Sequence, residues 1–171
     1  MNTAAPKVSS HLLAENGSFP NNGRLPLLII KGVFEKNRVS PESFEQLFTS
    51  NLWPAAWRNG IYSFHHYHSM AHEVLGVYRG WVEACFGGPD GLILRAEAGD
   101  VIIIPAGVSH CNNGQSSDFR VVGAYPQGQN WDMKYGKDGE RPAVDQVIST
   151  VPIPAADPVA GKDGPLKTLW E

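Results

Sequence analysis

The chain has 171 residues, a length typical of one domain with a sizeable hydrophobic core. Hydrophobic residues make up 42% of it, charged residues 18%, and the formal net charge is -3, which gives no electrostatic case for binding nucleic acid or an anionic membrane. The two cysteines, Cys85 and Cys111, lack Cys-x-x-Cys metal spacing and argue against a disulfide scaffold. No apolar stretch of signal-peptide length follows the first residues, so we expect a cytoplasmic protein.

The amino-terminal third of the chain combines turn signals, one apolar run and one helix. Residues 1–25 are polar, and we expect them to form an extended arm. The apolar run 26–34 predicts a strand, and its leading proline favours an edge position in a sheet. Ser40 as N-cap and Pro41 at the first helical position predict a helix over 41–50.

The middle of the chain is divided by glycines and prolines into short apolar runs, which favours a sandwich or barrel over a helical bundle. The run at 101–104 is continuously apolar, as in a strand buried on both faces. Together the runs predict an antiparallel barrel or jelly roll over residues 60–126. The predicted strands are 61–64, 73–78, 81–86, 92–97, 101–104 and 119–125.

The signal weakens after residue 126. Residues 144–151 are consistent with a short helix or a strand. Prolines at 152, 154, 158 and 165 predict an extended tail beyond them. We expect this carboxy-terminal extension, residues 127–171, to wrap the barrel or a partner subunit of a single-domain protein.

Four of the six histidines lie between positions 65 and 72. On a strand, His66 and His68 would share a face with their Cα atoms roughly 7 Å apart, close enough for both imidazoles to reach one ion. Glu73 begins the next run, and a hairpin would return its carboxylate toward them. This pattern indicates a metal site in which one position is still missing.

Two other interpretations of the histidines are open from these residues alone. Single histidines are usually packed and hydrogen-bonded, and neighbouring histidines can simply be solvated. Alternatively, His68 and His72 could lie one turn apart on a helix. The helical zinc-protease pattern His-Glu-x-x-His is excluded, however, because position 76 is glycine.

The histidine segment contains a longer pattern, Gly-x5-His-x-His-x4-Glu-x6-Gly. It is formed by Gly60, His66, His68, Glu73 and Gly80. This spacing resembles the first motif of the cupin superfamily at every specified position. The wider sequence is similar to the YjlB-like branch of bacterial cupins.

A second pattern follows in the form Gly99-x5-Pro105-x-Gly107-x2-His110, which resembles the second cupin motif. That motif ends in an asparagine expected at position 114, where this chain has glycine. Because that asparagine is not normally a ligand, the departure bears on loop geometry rather than on a metal site. The resemblance covers residues 26–126 and implies a cupin double-stranded β-helix, an all-β jelly-roll barrel with a short N-terminal helix.

The resemblance implies that His66, His68, Glu73 and His110 bind one divalent metal ion. Imidazole and carboxylate donors suit Fe, Mn, Ni, Co or Zn, and the lack of cysteine ligands disfavours a structural zinc site. Four protein ligands leave open positions on a five- or six-coordinate ion for water, a small-molecule substrate or dioxygen.

Other residues near the motifs are candidates for the pocket. Tyr62 and Phe64 share the predicted face of His66, and we expect them to line it. His72 is either a residue that orients a ligand or a residue at the rim. Tyr125 is either a polar residue of the pocket or a surface residue, since the sequence does not fix which face of its strand points inward.

Two further groups have packing as their simpler role. His65 and Cys111 are expected to face away from the ion, as packed residues. Trp53, Trp57 and Trp131 could instead close the mouth of the pocket or an interface.

The motifs favour a mononuclear metal enzyme, a dioxygenase-like oxidoreductase acting on a small polar molecule. A sugar-type isomerase or epimerase is the second interpretation, since the same ligand set serves both in the superfamily. Two alternatives involve no catalysis: a cupin that only binds or senses a small molecule, and a structural scaffold. The resemblance also implies a homodimer, with the strand at 26–34 as the candidate for pairing with the partner.

Overall fold

Nine strands and three helices occupy residues 5–171, the part of the chain that the computed structural model describes. The strands are β1 Lys7–Leu13, β2 Asn22–Lys31, β3 Ala55–Asn59, β4 Glu73–Arg79, β5 Trp81–Phe86, β6 Leu92–Glu97, β7 Val101–Ile104, β8 His110–Gln115 and β9 Arg120–Ala124. The helices are α1 Pro41–Ser50, α2 Ala143–Thr150 and α3 Pro165–Leu169. Among these residues, no helix is both long and apolar enough to cross a membrane.

The strands form two antiparallel sheets, one of six strands in the order β1-β2-β7-β4-β9-β3 and one of three in the order β6-β5-β8. One hydrophobic cluster fills the space between the sheets, and a second packs α1 and α3 against the outer face of the large sheet. Strand β7 is buried on both faces, as predicted: Ile102 and Ile104 belong to the inner cluster, Val101 and Ile103 to the outer one. The prediction of an all-β jelly-roll barrel is confirmed.

Helix α1 has the predicted bounds and cap. The backbone N–H of Ser43 donates to the Ser40 hydroxyl oxygen at 3.1 Å, which satisfies one of the free donors of the first turn. Phe44 and Phe48 are buried on one face. Gly76 in β4 makes room for this packing, because a Cβ there would lie 2.5 Å from the Phe44 ring.

The amino-terminal prediction needs correction. Residues 1–25 were expected to form an extended arm. Residues 1–4 lie outside the described part of the chain, and residues 5–25 contain β1 and the start of β2. Pro26 is not on an edge strand, since β2 pairs with β1 on one side and β7 on the other. The proline is tolerated because it lies where the β1 register shifts and has no partner in either ladder.

This pairing also rules out residues 26–34 as the strand added to a partner barrel, because both edges of β2 are occupied within the chain. The edge strands of the large sheet are β1 and β3 instead. A homodimer stays a prediction that would need another surface, and light scattering tests it.

The histidine segment differs from its prediction. Residues 61–64 are not a strand; the regular pairing ends with β3 at Asn59, and residues 60–72 run irregularly across the barrel end. Two isolated antiparallel bridges, His66 with His110 and Tyr67 with Lys134, hold this segment in place. Its β-branched and aromatic residues therefore did not decide its structure; long-range backbone pairing did.

The carboxy-terminal extension wraps its own barrel. Val144 lies in helix α2, and the expected extended tail contains the short helix α3. The Trp170 indole N–H donates to the Pro26 carbonyl at 2.8 Å, and the Trp53 indole N–H donates to the Ala156 carbonyl at 2.9 Å. Both indoles are buried, so Trp53 serves packing rather than a pocket mouth.

Candidate metal centre

The four predicted ligands meet at one end of the barrel. His66 and His68 come from the irregular segment, Glu73 from the start of β4 and His110 from the start of β8, and all four are buried. Ring nitrogens of the three histidines lie within 4.8 Å of one another. The Glu73 Oε2 atom lies 3.1 Å from His68 Nε2 and 3.3 Å from His110 Nε2.

Backbone carbonyls fix the orientation of all three imidazoles. His66 Nδ1 donates to the Phe64 carbonyl at 3.0 Å and His110 Nδ1 to the Val108 carbonyl at 3.1 Å, while His68 Nδ1 donates to the Asp132 carbonyl. A carbonyl oxygen only accepts, so each Nδ1 carries the proton and the neutral ring leaves a lone pair on Nε2. Ligating histidines are held in this way in metalloproteins.

The site therefore gathers acceptors with no donor between them. The Glu73 Oε2 atom is buried and has no hydrogen-bond donor among the described residues, although two Nε2 atoms are close to it. Lone pairs at such distances repel unless a proton or a cation lies between them. A proton could satisfy one of these pairs, whereas a divalent cation would satisfy all four side chains. The residues present fit a metal ion.

Burial and mutual charge set the protonation of these groups. Burial lowers the pKa of His66 to about 3, and the neighbouring His110 adds to the effect. Burial would raise the pKa of Glu73, but His68 and His110 outweigh it and the net shift is downward. Burial lowers the pKa of His68, but the charge of Glu73 outweighs it and the net shift is upward.

Asp132 braces the turn that carries His68, and no sequence signal pointed to it. Its carboxylate accepts from the backbone N–H of Ser69 at 2.7 Å and of Met70 at 3.1 Å, and from the Ser69 hydroxyl. Its carbonyl holds His68 Nδ1. One residue from the carboxy-terminal extension thus positions both the ring and the backbone of a predicted ligand.

The turn at Pro105–Gly107 positions His110. Gly107 has φ +91°, a conformation that favours glycine, and its N–H donates to the His68 carbonyl at 2.8 Å. His72 braces the same turn: the Ala106 N–H donates to His72 Nδ1 at 2.9 Å. His72 Nε2 donates to the Pro152 carbonyl at 3.2 Å. Being buried and turned away from the ligands, His72 is not a rim residue; it joins the turn to the extension.

A cavity of about 280 Å³ opens onto the four predicted ligands. The Tyr125 hydroxyl lies in it, accepts from the Trp57 indole N–H at 3.0 Å and lies 3.4 Å from Glu73 Oε1. Trp131 stacks on Tyr125 with ring centroids 5.9 Å apart and an interplanar angle of 18°. Two of the three tryptophans considered from the sequence, Trp57 and Trp131, therefore line the cavity.

The predictions for the aromatic pair before His66 have different outcomes. Tyr62 lines the cavity, whereas Phe64 does not; it stacks on the outer side of Tyr62 with ring centroids 4.9 Å apart and is 45% exposed. The expected alternation of faces fails because the segment is not a strand. Tyr125 is a pocket residue rather than a surface one.

A comparison with curated proteins finds one close relative. The chain is 35% identical over 164 residues to the uncharacterised protein YjlB of Bacillus subtilis (strain 168), and the match covers 96% of this chain and 97% of YjlB. No protein-family model matches the chain.

Solved structures resemble the chain only distantly. RmlC from Streptococcus suis, in complex with dTDP-D-xylose, aligns with 98% of this chain and 96% of its own at 13% identity and a TM-score of 0.39. A protein with a double-stranded beta-helix domain from Klebsiella pneumoniae subsp. pneumoniae MGH 78578 aligns with 80% of this chain and 84% of its own, at 16% identity and a TM-score of 0.37. With both motifs in place and YjlB matched over nearly the full length of both chains, this protein belongs to the YjlB family of the cupin superfamily.

Proposed function

We propose that this chain is a mononuclear metal enzyme, a dioxygenase-like oxidoreductase that acts on a small molecule with an apolar body and an oxygen donor. One observation carries the proposal: three imidazole lone pairs and the Glu73 carboxylate converge, while every imidazole hydrogen is held by a carbonyl behind it. Structural packing of histidines does not require this arrangement, since packed histidines satisfy both ring nitrogens.

The metal would be held by His66, His68, Glu73 and His110. When bound, a divalent ion of Fe, Mn, Ni, Co or Zn supplies Lewis acidity at its open positions and, in the case of iron, redox chemistry with dioxygen. The one carboxylate offsets a single positive charge of a divalent ion. An oxygen ligand with one negative charge therefore suits the centre on charge balance.

The cavity walls favour an apolar body for the substrate. They include Trp57, Ile61, Tyr62, Leu75, Trp131 and Met133. None of the residues that line this cavity in the described chain is lysine or arginine, so no side-chain cation is built in for a phosphate or a second carboxylate. The stacked pair of Tyr125 and Trp131 offers flat surfaces beside the centre.

The titratable residues of the cavity favour oxidoreduction over epimerisation. An epimerase needs a general base near neutrality to remove a proton from carbon. The titratable lining residues other than the predicted ligands are Tyr62 and Tyr125, and burial followed by the Glu73 charge raises the pKa of Tyr125. The Tyr125 phenol therefore keeps its proton and serves as a hydrogen-bond donor to a bound oxygen atom.

The test is anaerobic loading with Fe²⁺, followed by measurement of dioxygen uptake with a panel of small enols, catechols and β-dicarbonyl compounds. We expect uptake that requires both iron and substrate and that is lost in Glu73→Gln, which keeps the side-chain volume but removes the charge. Stoichiometric iron with no uptake across the panel would count against the oxidoreductase.

A non-catalytic binding or sensor cupin is the second candidate, favoured by the absence of a general base among the non-ligand residues of the cavity. It predicts that a panel compound raises the melting temperature of the metal-loaded protein without forming product. Product formation from that compound would exclude it.

A further inference from the structure

Three more metal-binding side chains meet outside the centre described above. A ring nitrogen of His65 and the Sγ atoms of Cys85 and Cys111 lie within 4.8 Å of one another. Cys85 stands directly opposite Cys111 in the ladder between β5 and β8, and both thiols are buried. Neither cysteine is part of a short Cys-x-x-Cys motif, so only strand register brings them together.

This cluster lies back to back with the predicted metal centre. His65 precedes His66, and Cys111 follows His110, on two segments joined by the His66–His110 bridge. His66 and His110 line the cavity, whereas His65 and Cys111 do not line it and contact each other instead. The two groups share backbone but no side chains.

The hydrogen bonds of the cluster are weak. Cys85 Sγ contacts the Gly88 carbonyl at 3.5 Å, and Cys111 Sγ lies 3.8 Å from His65 Nε2. His65 Nδ1 is buried and has no partner among the described residues. Because thiols are poor hydrogen-bond donors, Cys111 binds the His65 imidazole only weakly. A cation bound among the two sulfur atoms and the ring nitrogen that faces them would supply a strong partner for each of these three atoms.

We propose that His65, Cys85 and Cys111 form a second metal site, for a thiophilic ion such as Zn²⁺ or Cu⁺. Two thiolates and one imidazole are the donor set that these ions prefer, whereas the cavity centre offers only nitrogen and oxygen. On binding, each thiol loses its proton to solvent and the sulfur donates its electron pair to the ion. Three protein ligands suffice for Cu⁺, and Zn²⁺ would add a water molecule.

Cobalt(II) distinguishes the two sites, because only thiolate ligands give a sulfur-to-cobalt charge-transfer absorption in the near ultraviolet. We expect this band in the full-length protein loaded with Co²⁺ and in the double variant His66→Ala/His110→Ala. It should disappear in Cys85→Ser/Cys111→Ser, which should still bind iron at the cavity centre. Absence of the band from the unaltered protein, or its survival in the cysteine variant, would overturn the proposal.

Thiol alkylation gives a second readout and separates the two ions. In the cobalt-free protein, Zn²⁺ or Cu⁺ at 100 times its Kd should slow alkylation of both cysteines by about a hundredfold, since only the ion-free fraction reacts. The ion that achieves this at the lower free concentration is the preferred one. Equal alkylation rates with and without either ion, or conversion of the two thiols to a disulfide with no ion retained, would contradict a metal site.

Discussion

His66 and His110 are joined through their backbones in both directions. The His66 N–H donates to the His110 carbonyl at 3.2 Å, and the His110 N–H donates to the His66 carbonyl at 2.9 Å. Their ring centroids lie 4.2 Å apart. The separation of two predicted ligands from different motifs is thus set by backbone pairing before any ion binds, which is the preorganisation that a tight site needs.

Asp132 should be required for tight metal binding although it is not a predicted ligand. Asp132→Asn weakens the acceptor that holds the Ser69–Met70 turn, so His68 loses its fixed position. We expect the affinity of the cavity centre for Fe²⁺ to fall by about 10–100-fold, measured by competition with a chelator. The surface variant Asp138→Asn is the matched control. An unchanged Kd in Asp132→Asn would show that the brace does not matter.

Tyr125→Phe should separate metal binding from turnover. The variant removes the proton donor beside Glu73 and leaves the Trp57 indole N–H without its acceptor. We expect unchanged metal content, a loss of stability of about 1 kcal/mol and turnover lower by about 10²-fold. Tyr78→Phe, on the other face of the large sheet, is the control. Full turnover in Tyr125→Phe would remove this phenol from the chemistry.

Gly107 tests the turn that positions His110. An alanine there would have to adopt φ +91°, and its Cβ would lie 2.4 Å from the Asn21 carbonyl oxygen. We expect Gly107→Ala to lower the free energy of unfolding by about 1–3 kcal/mol, measured with urea. Gly114→Ala is the control, because a Cβ at Gly114 meets no atom within 4 Å, and it should change stability by no more than about 0.5 kcal/mol. Equal effects of the two substitutions would contradict this explanation.

Glu140 gives a pH-dependent contribution to stability. Burial raises its pKa, but the N–H groups of Tyr135, Gly136 and Lys137 and the Tyr67 hydroxyl outweigh it, so the net pKa lies below its ordinary value of 4.5. The unfolded chain therefore takes up the proton first as the pH falls. The contribution of the ionised Glu140 to the free energy of unfolding is present above pH 4.5 and is lost as the pH falls through the pKa of the folded state.

Urea unfolding of the unaltered protein and of Glu140→Gln at several pH values tests this expectation. The variant should be less stable at pH 7, and the difference should shrink below about pH 4.5, where the carboxyl of the unfolded chain takes up its proton while that of the folded protein is still ionised. A difference that stays constant down to pH 3 would mean that the charge of Glu140 does not contribute.

Local pattern predicted much of this fold. Strands β4, β5 and β7 follow short apolar runs, and helix α1 begins at a serine cap followed by proline. In these elements the local preference and the tertiary packing agree. The resemblance to the two cupin motifs also indicated which four side chains would meet.

Other parts of the site could not be predicted because long-range contacts determine them. Strand β8 is His-Cys-Asn-Asn-Gly-Gln, which has no apolar alternation; it is a strand because β5 offers it a partner. Asp132 acts through a contact with a turn far away in sequence. The pairing of Cys85 with Cys111 likewise depends on strand register, which the sequence alone does not state.

The most direct test of the account is the metal content of the cavity centre. It is best measured in the Cys85→Ser/Cys111→Ser background, so that the proposed thiolate site contributes no ion. We predict one divalent ion per chain, retained when His11 on β1 is changed to alanine and lost in His66→Ala/His110→Ala. Full occupancy in that last variant, or no ion in the background protein after loading with Fe²⁺, Mn²⁺, Ni²⁺, Co²⁺ or Zn²⁺, would contradict the central claim.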